Sequence, residues 1–276
     1  MLEYSPDWAS STAQLQKLLV TSDGTIEDNG TGMLQVDFAN KFIGGGVLAE
    51  GCVQEEIRFL ICPELIVSRL ITEVLDANES LLAVGCERFS NYTGYGSSMQ
   101  WLSDHRDGNG HDSWGRLIMQ VVAIDAQVFR SLSSQLSERS LLRELNKAHC
   151  GFRCGDDACR AVATGNWGCG AFGGDPRLKA LLQLMAAAEA ERPVRYFTFG
   201  DRALCREIFQ LWESAVSANC TVGKLWTCVL EAAELLSTGK GGTSWDIYQH
   251  IIARCMPDSG SEVSKSQSSP AYSNSP

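Results

Sequence analysis

Residues 34–59 read LQVDFANKFIGGGVLAEGCVQEEIRF, and three pieces of structure are legible in them. Leu34 to Phe38 form a short apolar strand whose end carries Asp37 and Asn40. Gly44, Gly45 and Gly46 follow. Only glycine enters positive-φ conformations, or lets backbone come close to a ligand, at little steric cost, so this turn suits a bound polyanion or sugar. Gln54, Glu55 and Glu56 then lead into Ile57, Leu60 and Ile61, apolar at helical spacing. The unpaired N–H groups of a helix start favour anionic side chains there.

Adjacent glutamates at a helix start are ordinarily solvated. These two follow a triple-glycine turn and an Asp-x-x-Asn strand end, which together make a set fit for glycoside hydrolysis. One acid protonates the leaving oxygen, and a carboxylate stabilises positive charge or activates water.

A second chemical region is ATGNWGCGAFGGD, residues 163–175. Residues 168–173 satisfy G-x-G-x-x-G and precede a helix with Leu178, Leu181, Leu182 and Met185 at helical spacing. Alone the pattern is weak. A nicotinamide-binding oxidoreductase would also use it, and the strand Val194 to Phe199 does lead to an acidic residue, Asp201. A phosphate cradle of backbone N–H groups is common to both readings.

VDFANKFIGGG followed by VQEEIRF closely resembles the signature of the poly(ADP-ribose) glycohydrolase family. IEDNG at 26–30, CPELIVSRL at 62–70, NYTGYG at 91–96, ATGNWGCGAFGGDPRLKALLQ at 163–183 and YFTFGD at 196–201 also resemble the family's blocks, in its order. The resemblance spans roughly Asp7 to Cys255, and its joint specificity exceeds that of any one motif.

That resemblance implies hydrolysis of the ribose–ribose O-glycosidic bonds of poly(ADP-ribose), releasing ADP-ribose. Glu56 would be the general acid and then activate water, Glu55 and Asn40 would orient the ribose, and Asp37 would support the glutamates. Ile26 and Glu27 would belong to the adenine pocket, Phe199 would stack on the base, and Tyr95 would contact phosphate or sugar. Asn166, Gly170, Ala171, Phe172 and Gly173 would line the diphosphate site, with Gly44, Gly45, Gly46 and Gln54 also facing substrate. The resemblance further implies a role in the DNA damage response. An ADP-ribose-binding macrodomain module with weak or no turnover is the alternative, against which Glu55 and Glu56 weigh.

Strands alternating with helices give an α/β class. The resemblance sharpens this to a three-layer α/β/α macrodomain-like fold with a mixed central sheet and extra C-terminal helices, ADP-ribose lying in a crevice at one sheet edge. Residues 1–256 are expected to form the catalytic domain. Leu81 to Gly85 reads as a buried strand, Leu117 to Ile124 as a strand covered on both faces, and Leu65 to Thr72 as a helix begun at Pro63. Helices at about 202–219, 222–238 and 244–255 should pack on the sheet. Residues 257–276, polar and rich in Ser and Pro, should be disordered. Met1 lies only a few residues ahead of Pro6-Asp7-Trp8, where family members carry a sizeable helical segment, so a fragment, short isoform or minimal form is expected.

The formal charge of −10 argues against a broad nucleic-acid-binding surface, although a polyanion needs only a local N–H-rich site. Eleven cysteines, without a compact disulfide framework, fit a reducing compartment. His149, Cys150, Cys154 and Cys159 lack the paired C-x-x-C spacing of common zinc sites, and the chemistry requires neither metal nor cofactor. No segment reaches transmembrane length. The expectation is a nuclear or cytoplasmic monomer acting on poly(ADP-ribose) attached to modified proteins, with no direct DNA or membrane binding.

Overall fold

The computed structural model describes residues 5–154, 160–237 and 246–255. The strands are β1 (Leu18–Thr21), β2 (Leu34–Ala39), β3 (Leu81–Val84), β4 (Ser90–Thr93), β5 (Gln100–Asp104), β6 (Gln120–Asp125), β7 (Val162–Gly165) and β8 (Val194–Phe197). The helices are α1 (Ile26–Asn29), α2 (Gln54–Ile61), α3 (Leu132–Gln135), α4 (Glu138–Arg153), α5 (Pro176–Glu189), α6 (Arg202–Ser217), α7 (Val222–Ser237) and α8 (Ile247–Cys255). Six strands form one sheet in the order β1-β8-β7-β2-β6-β3, and β4 and β5 form a separate antiparallel ribbon. Neighbours in the large sheet run parallel except β3, which is antiparallel to β6 at the edge.

The apolar run of β6 is explained by cover on both faces. Val122 and Ile124 enter the larger core with Leu141 and Leu145 of α4 and Leu181 and Met185 of α5. Ala123, one residue out of phase, enters a smaller core with Phe59 and Ile61 of α2. Side chains alternate along a strand, so the sheet separates two helical layers, which is the three-layer architecture.

Several local expectations differ. Pro63–Leu70 is a 3₁₀ helix in which only Leu65 is buried, so little packing rewards a full α-helix. β3 is half-buried because it is the edge strand. Asn91 to Thr93, the start of the NYTGYG block, belong to β4, and Ala163 to Gly165, the start of the second chemical region, belong to β7. α7 and α8 pack chiefly on α5, α6 and each other rather than on the sheet, whose face α4 and α5 already occupy. Cys159 and the 257–276 segment lie outside the described residues. Among the described residues no helix is long and apolar enough to cross a membrane.

Candidate active site

β2 pairs with β6 along its whole length, from Leu34 to Ala39, but with β7 only at Leu34 and Gln35. The two strands then diverge. Gln54 fills the gap in the ladder: its side-chain oxygen accepts the Phe38 N–H at 2.7 Å, and its amide nitrogen donates to the Val36 carbonyl at 3.2 Å. This bond pair anchors the start of α2 against β2. Beyond it opens a cavity of about 850 Å³, lined by Phe38 and Ala39 at the end of β2, Asn166 and Trp167 after β7, and Phe199 after β8. Ligand crevices of open α/β sheets lie outside the carboxyl ends of strands in this way.

The glutamates sit behind that wall. Glu55 accepts the Gly44 N–H at 2.6 Å and the Asn40 N–H at 2.8 Å, one on each oxygen. Glu56 accepts the Gly46 N–H at 2.9 Å and the Val53 N–H at 3.0 Å, the latter capping its own helix. A Cβ on Gly45 would lie 2.5 Å from the nearer Glu56 oxygen and 2.9 Å from a Glu55 oxygen, so the turn admits only glycine there. This differs from the sequence expectation. The Gly44 and Gly46 N–H groups hold carboxylates rather than opening toward a ligand, and Gly44, Gly45 and Gly46 do not line the cavity. Asn40 is also outside the lining, its side-chain oxygen accepting the Phe42 N–H at 3.0 Å.

Asp37 shares the α2 face of β2 and is fully buried, with both carboxylate oxygens lacking a hydrogen-bond donor among the described residues. Burial raises its carboxyl to about 7, against the lowering pull of the Arg58 guanidinium. Burial, reinforced by Asp37, raises Glu55 to about 9, outweighing its two N–H donors. Glu56 is the more exposed glutamate, 7% against 2%. Beside it Tyr95, a cavity-lining residue, accepts the Gln54 N–H on its hydroxyl. Val53, Gln54, Ile57 and Arg58 line the cavity, whereas Asp37, Glu55 and Glu56 lie just behind them, with Glu56 the least buried of the three.

The 166–174 loop is folded on itself by bonds from the N–H groups of Cys169 to Asn166, Gly173 to Gly170 and Gly174 to Gly168. Those of Gly170, Ala171 and Phe172 have no acceptor among the described residues, and all three residues line the cavity. Gly173 departs from expectation: its N–H is engaged within the loop, its φ is +69°, and a Cβ on it would lie 2.5 Å from the Phe129 carbonyl oxygen. It shapes the loop and does not line the cavity. Asn166 does line it, its side-chain oxygen accepting the Tyr196 hydroxyl at 3.2 Å.

At the other end, Ile26 and Glu27 come from α1, which Thr25 caps. Glu27 accepts the Tyr92 hydroxyl, joining α1 to the β4–β5 ribbon across the cavity rim. Phe199 is 44% exposed and held at φ +51°, with its ring stacked on Phe197 at 6.4 Å and edge-on to Phe38 at 6.5 Å. Non-glycine residues at positive φ cost of order 1–3 kcal/mol and cluster at ligand sites. Phe38, Arg58 and Trp167 line the cavity but were not singled out from sequence. The available signals were their places inside the two motifs, Arg58 one helical turn after Gln54 and Trp167 beside Asn166.

A family described as "Poly (ADP-ribose) glycohydrolase (PARG), Macro domain fold" matches residues 5–206 of the chain. Poly(ADP-ribose) glycohydrolase 1 of Arabidopsis thaliana is 37% identical over 310 aligned positions, covering 86% of this chain and 56% of the relative. Poly(ADP-ribose) glycohydrolase 1 of Caenorhabditis elegans is 36% identical over 252 positions, covering 87% of this chain and 32% of the relative. A macrodomain of Oceanobacillus iheyensis, solved with MES bound, aligns with a TM-score of 0.45 and 14% identity over 72% of this chain and 90% of its own. The chain thus spans about half the length of the Arabidopsis relative and a third of the nematode one. With the family match running through both motif regions and the mixed six-stranded sheet that carries them, the chain belongs to the poly(ADP-ribose) glycohydrolase family and has its macrodomain-type α/β/α fold.

Proposed function

We propose that this chain hydrolyses the ribose–ribose O-glycosidic bonds of poly(ADP-ribose) and releases ADP-ribose. The observation that carries the reading is the buried trio Asp37, Glu55 and Glu56, set beside Val53 and Gln54, which line a cavity that also presents the free N–H groups of Gly170, Ala171 and Phe172. Buried carboxylates this close cannot all ionise, and with Asp37 raised to about 7 and Glu55 to about 9 the cluster keeps a proton at neutral pH. A retained proton is what a general acid needs to protonate a departing ribose hydroxyl.

In this reading the proton retained by Asp37 and Glu55 passes to Glu56, which delivers it to the leaving oxygen, then takes one from the attacking water and returns it to the pair. Glu55 and Asp37 hold that proton until then, and the glycine turn keeps Glu55 and Glu56 side by side through the Gly44 and Gly46 N–H groups. The oxocarbenium-like sugar is stabilised by the remaining carboxylate charge. The diphosphate lies against the N–H groups of Gly170, Ala171 and Phe172, as anions do at such nests. Adenine lies between Ile26 and Phe199, with Glu27 accepting from its amino group, and Tyr95 closes over phosphate or sugar.

The test is incubation of the purified chain with labelled poly(ADP-ribose) in the presence of a chelator, following free ADP-ribose. Release of ADP-ribose is expected. Tight ADP-ribose binding without release would favour the reader module instead.

A further inference from the structure

Beneath the 166–174 loop, on the side away from the cavity, lies a buried charge network that the reaction does not use. Lys179 of α5 is 1% exposed, donates to Glu144 of α4, and holds its ammonium 3.4 Å from the centroid of the Trp167 ring. Its side chain runs directly under the loop. A Cβ on Gly168 would lie 3.3 Å from the Lys179 nitrogen, and one on Gly174 would lie 3.3 Å from its Cγ. The glycines leave no side chain between the ammonium and the loop backbone.

The other oxygen of Glu144 accepts from Arg143 at 2.7 Å, and Arg143 and Lys147 both reach Asp125, Lys147 at 2.7 Å. Three cations thus face two carboxylates. Asp175, the other carboxylate flanking the loop, is committed to the start of α5, where it accepts the Leu178 N–H at 2.9 Å. An uncompensated charge in a protein interior is costly, so the excess positive charge calls for an anion. The face open to one is the opposite side of the loop, where the N–H groups of Gly170, Ala171 and Phe172 are free. Burial pushes the Cys169 thiol of this loop up to about 12, and the Lys179 ammonium opposes that rise.

We propose that Lys179 is a positioning residue for a diphosphate bound on the loop, acting through the glycine backbone without touching the ligand and selecting diphosphate-bearing ligands over uncharged nucleosides. The inference rests on ADP-ribose occupying the cavity. In a site shielded from bulk water the attraction of a unit charge across one layer of backbone is large enough to matter, on the order of tenfold in affinity.

The experiment is calorimetric binding of ADP-ribose and of adenosine to the unsubstituted chain, to Lys179→Met, and to the double variant Lys179→Met/Glu144→Gln, each first shown to be folded. Lys179→Met should lose about tenfold or more in ADP-ribose affinity and leave adenosine unchanged. The double variant, in which the lost ammonium strands no carboxylate, should recover thermal stability without recovering ADP-ribose affinity, and it decides the matter if the single variant does not fold. ADP-ribose affinity within about twofold of the unsubstituted chain, or an equal loss for both ligands, would overturn the role. Failure of the unsubstituted chain to bind ADP-ribose would overturn the reading of the cavity and this role with it.

Discussion

The Glu55 carboxylate accepts the Gly44 N–H at 2.6 Å while its other oxygen takes the Asn40 N–H, so the end of β2, the glycine turn and the start of α2 are tied at one buried side chain. Glu56 repeats the arrangement one residue on, with Gly46 and Val53. The turn is a mould for two carboxylates, and folding places them beside Asp37 where they cannot all stay charged.

A pH dependence of stability follows. Carboxyls raised from 4.5 to about 9 for Glu55 and from 3.8 to about 7 for Asp37 make the folded state bind more protons than the unfolded one across those windows. Their stabilisation is full at low pH and is lost as pH rises through the folded values. His149, lowered to about 4 by burial, works the other way below its ordinary value near 6.5, so the fall is read over about pH 6.5–8.5; Cys220, lowered from 9.0 chiefly by its hydrogen bond with Cys255, opposes it toward the upper end and is common to both proteins compared. Urea midpoints should fall across it, and Glu55→Gln should flatten the fall by up to ~1.4 kcal/mol per pH unit. A Glu55→Gln profile parallel to that of the unsubstituted chain would contradict the buried proton.

Phe199 combines an exposed ring with a backbone in the left-handed region. Phe199→Gly removes both the ring and the strain. ADP-ribose affinity should fall about tenfold, since base–aromatic stacking is worth roughly 1–3 kcal/mol, while the melting temperature holds or rises because glycine tolerates φ near +51°. Unchanged affinity, measured by calorimetry, would remove Phe199 from the adenine site.

Two glycines of the same loop should behave differently. A Cβ on Gly173 meets the Phe129 carbonyl at a positive φ, whereas one on Gly170 meets nothing within 4 Å. Gly173→Val should therefore lower the melting temperature, by several degrees or more. Gly170→Val should fold normally and lose ADP-ribose affinity, because its side chain obstructs approach to the free N–H groups. Equal melting temperatures for the two variants, or intact affinity in Gly170→Val, would contradict this division of the loop.

The motifs and the α/β class could be read from sequence because local chemistry carries them: the apolar run of β6, the glutamates at the start of α2, and the leucine spacing of α5. What escaped depends on register. Gln54 becomes a substitute strand partner only because β2 and β7 part after Gln35, and no local pattern records where two strands diverge. The same holds for the use of the Gly44 and Gly46 N–H groups by Glu55 and Glu56, since a glycine turn reads alike whether it cradles a ligand or a side chain. Lys179 looks like the polar face of a helix until α4 brings Glu144 beneath it. α7 and α8, apolar enough for a sheet, find the sheet already covered by α4 and α5.

The most direct test of the whole account is Glu56→Gln, assayed for ADP-ribose release from labelled poly(ADP-ribose) and, on the same preparation, for ADP-ribose binding. The amide keeps the shape and can still accept the Gly46 N–H, but it cannot deliver and reclaim a proton. Turnover should drop by ~10²–10⁴-fold, with affinity held within about threefold, a change of well under 1 kcal/mol. Turnover near that of the unsubstituted chain would contradict Glu56 as the proton donor and, with it, the assignment of the buried carboxylate trio as the catalytic centre.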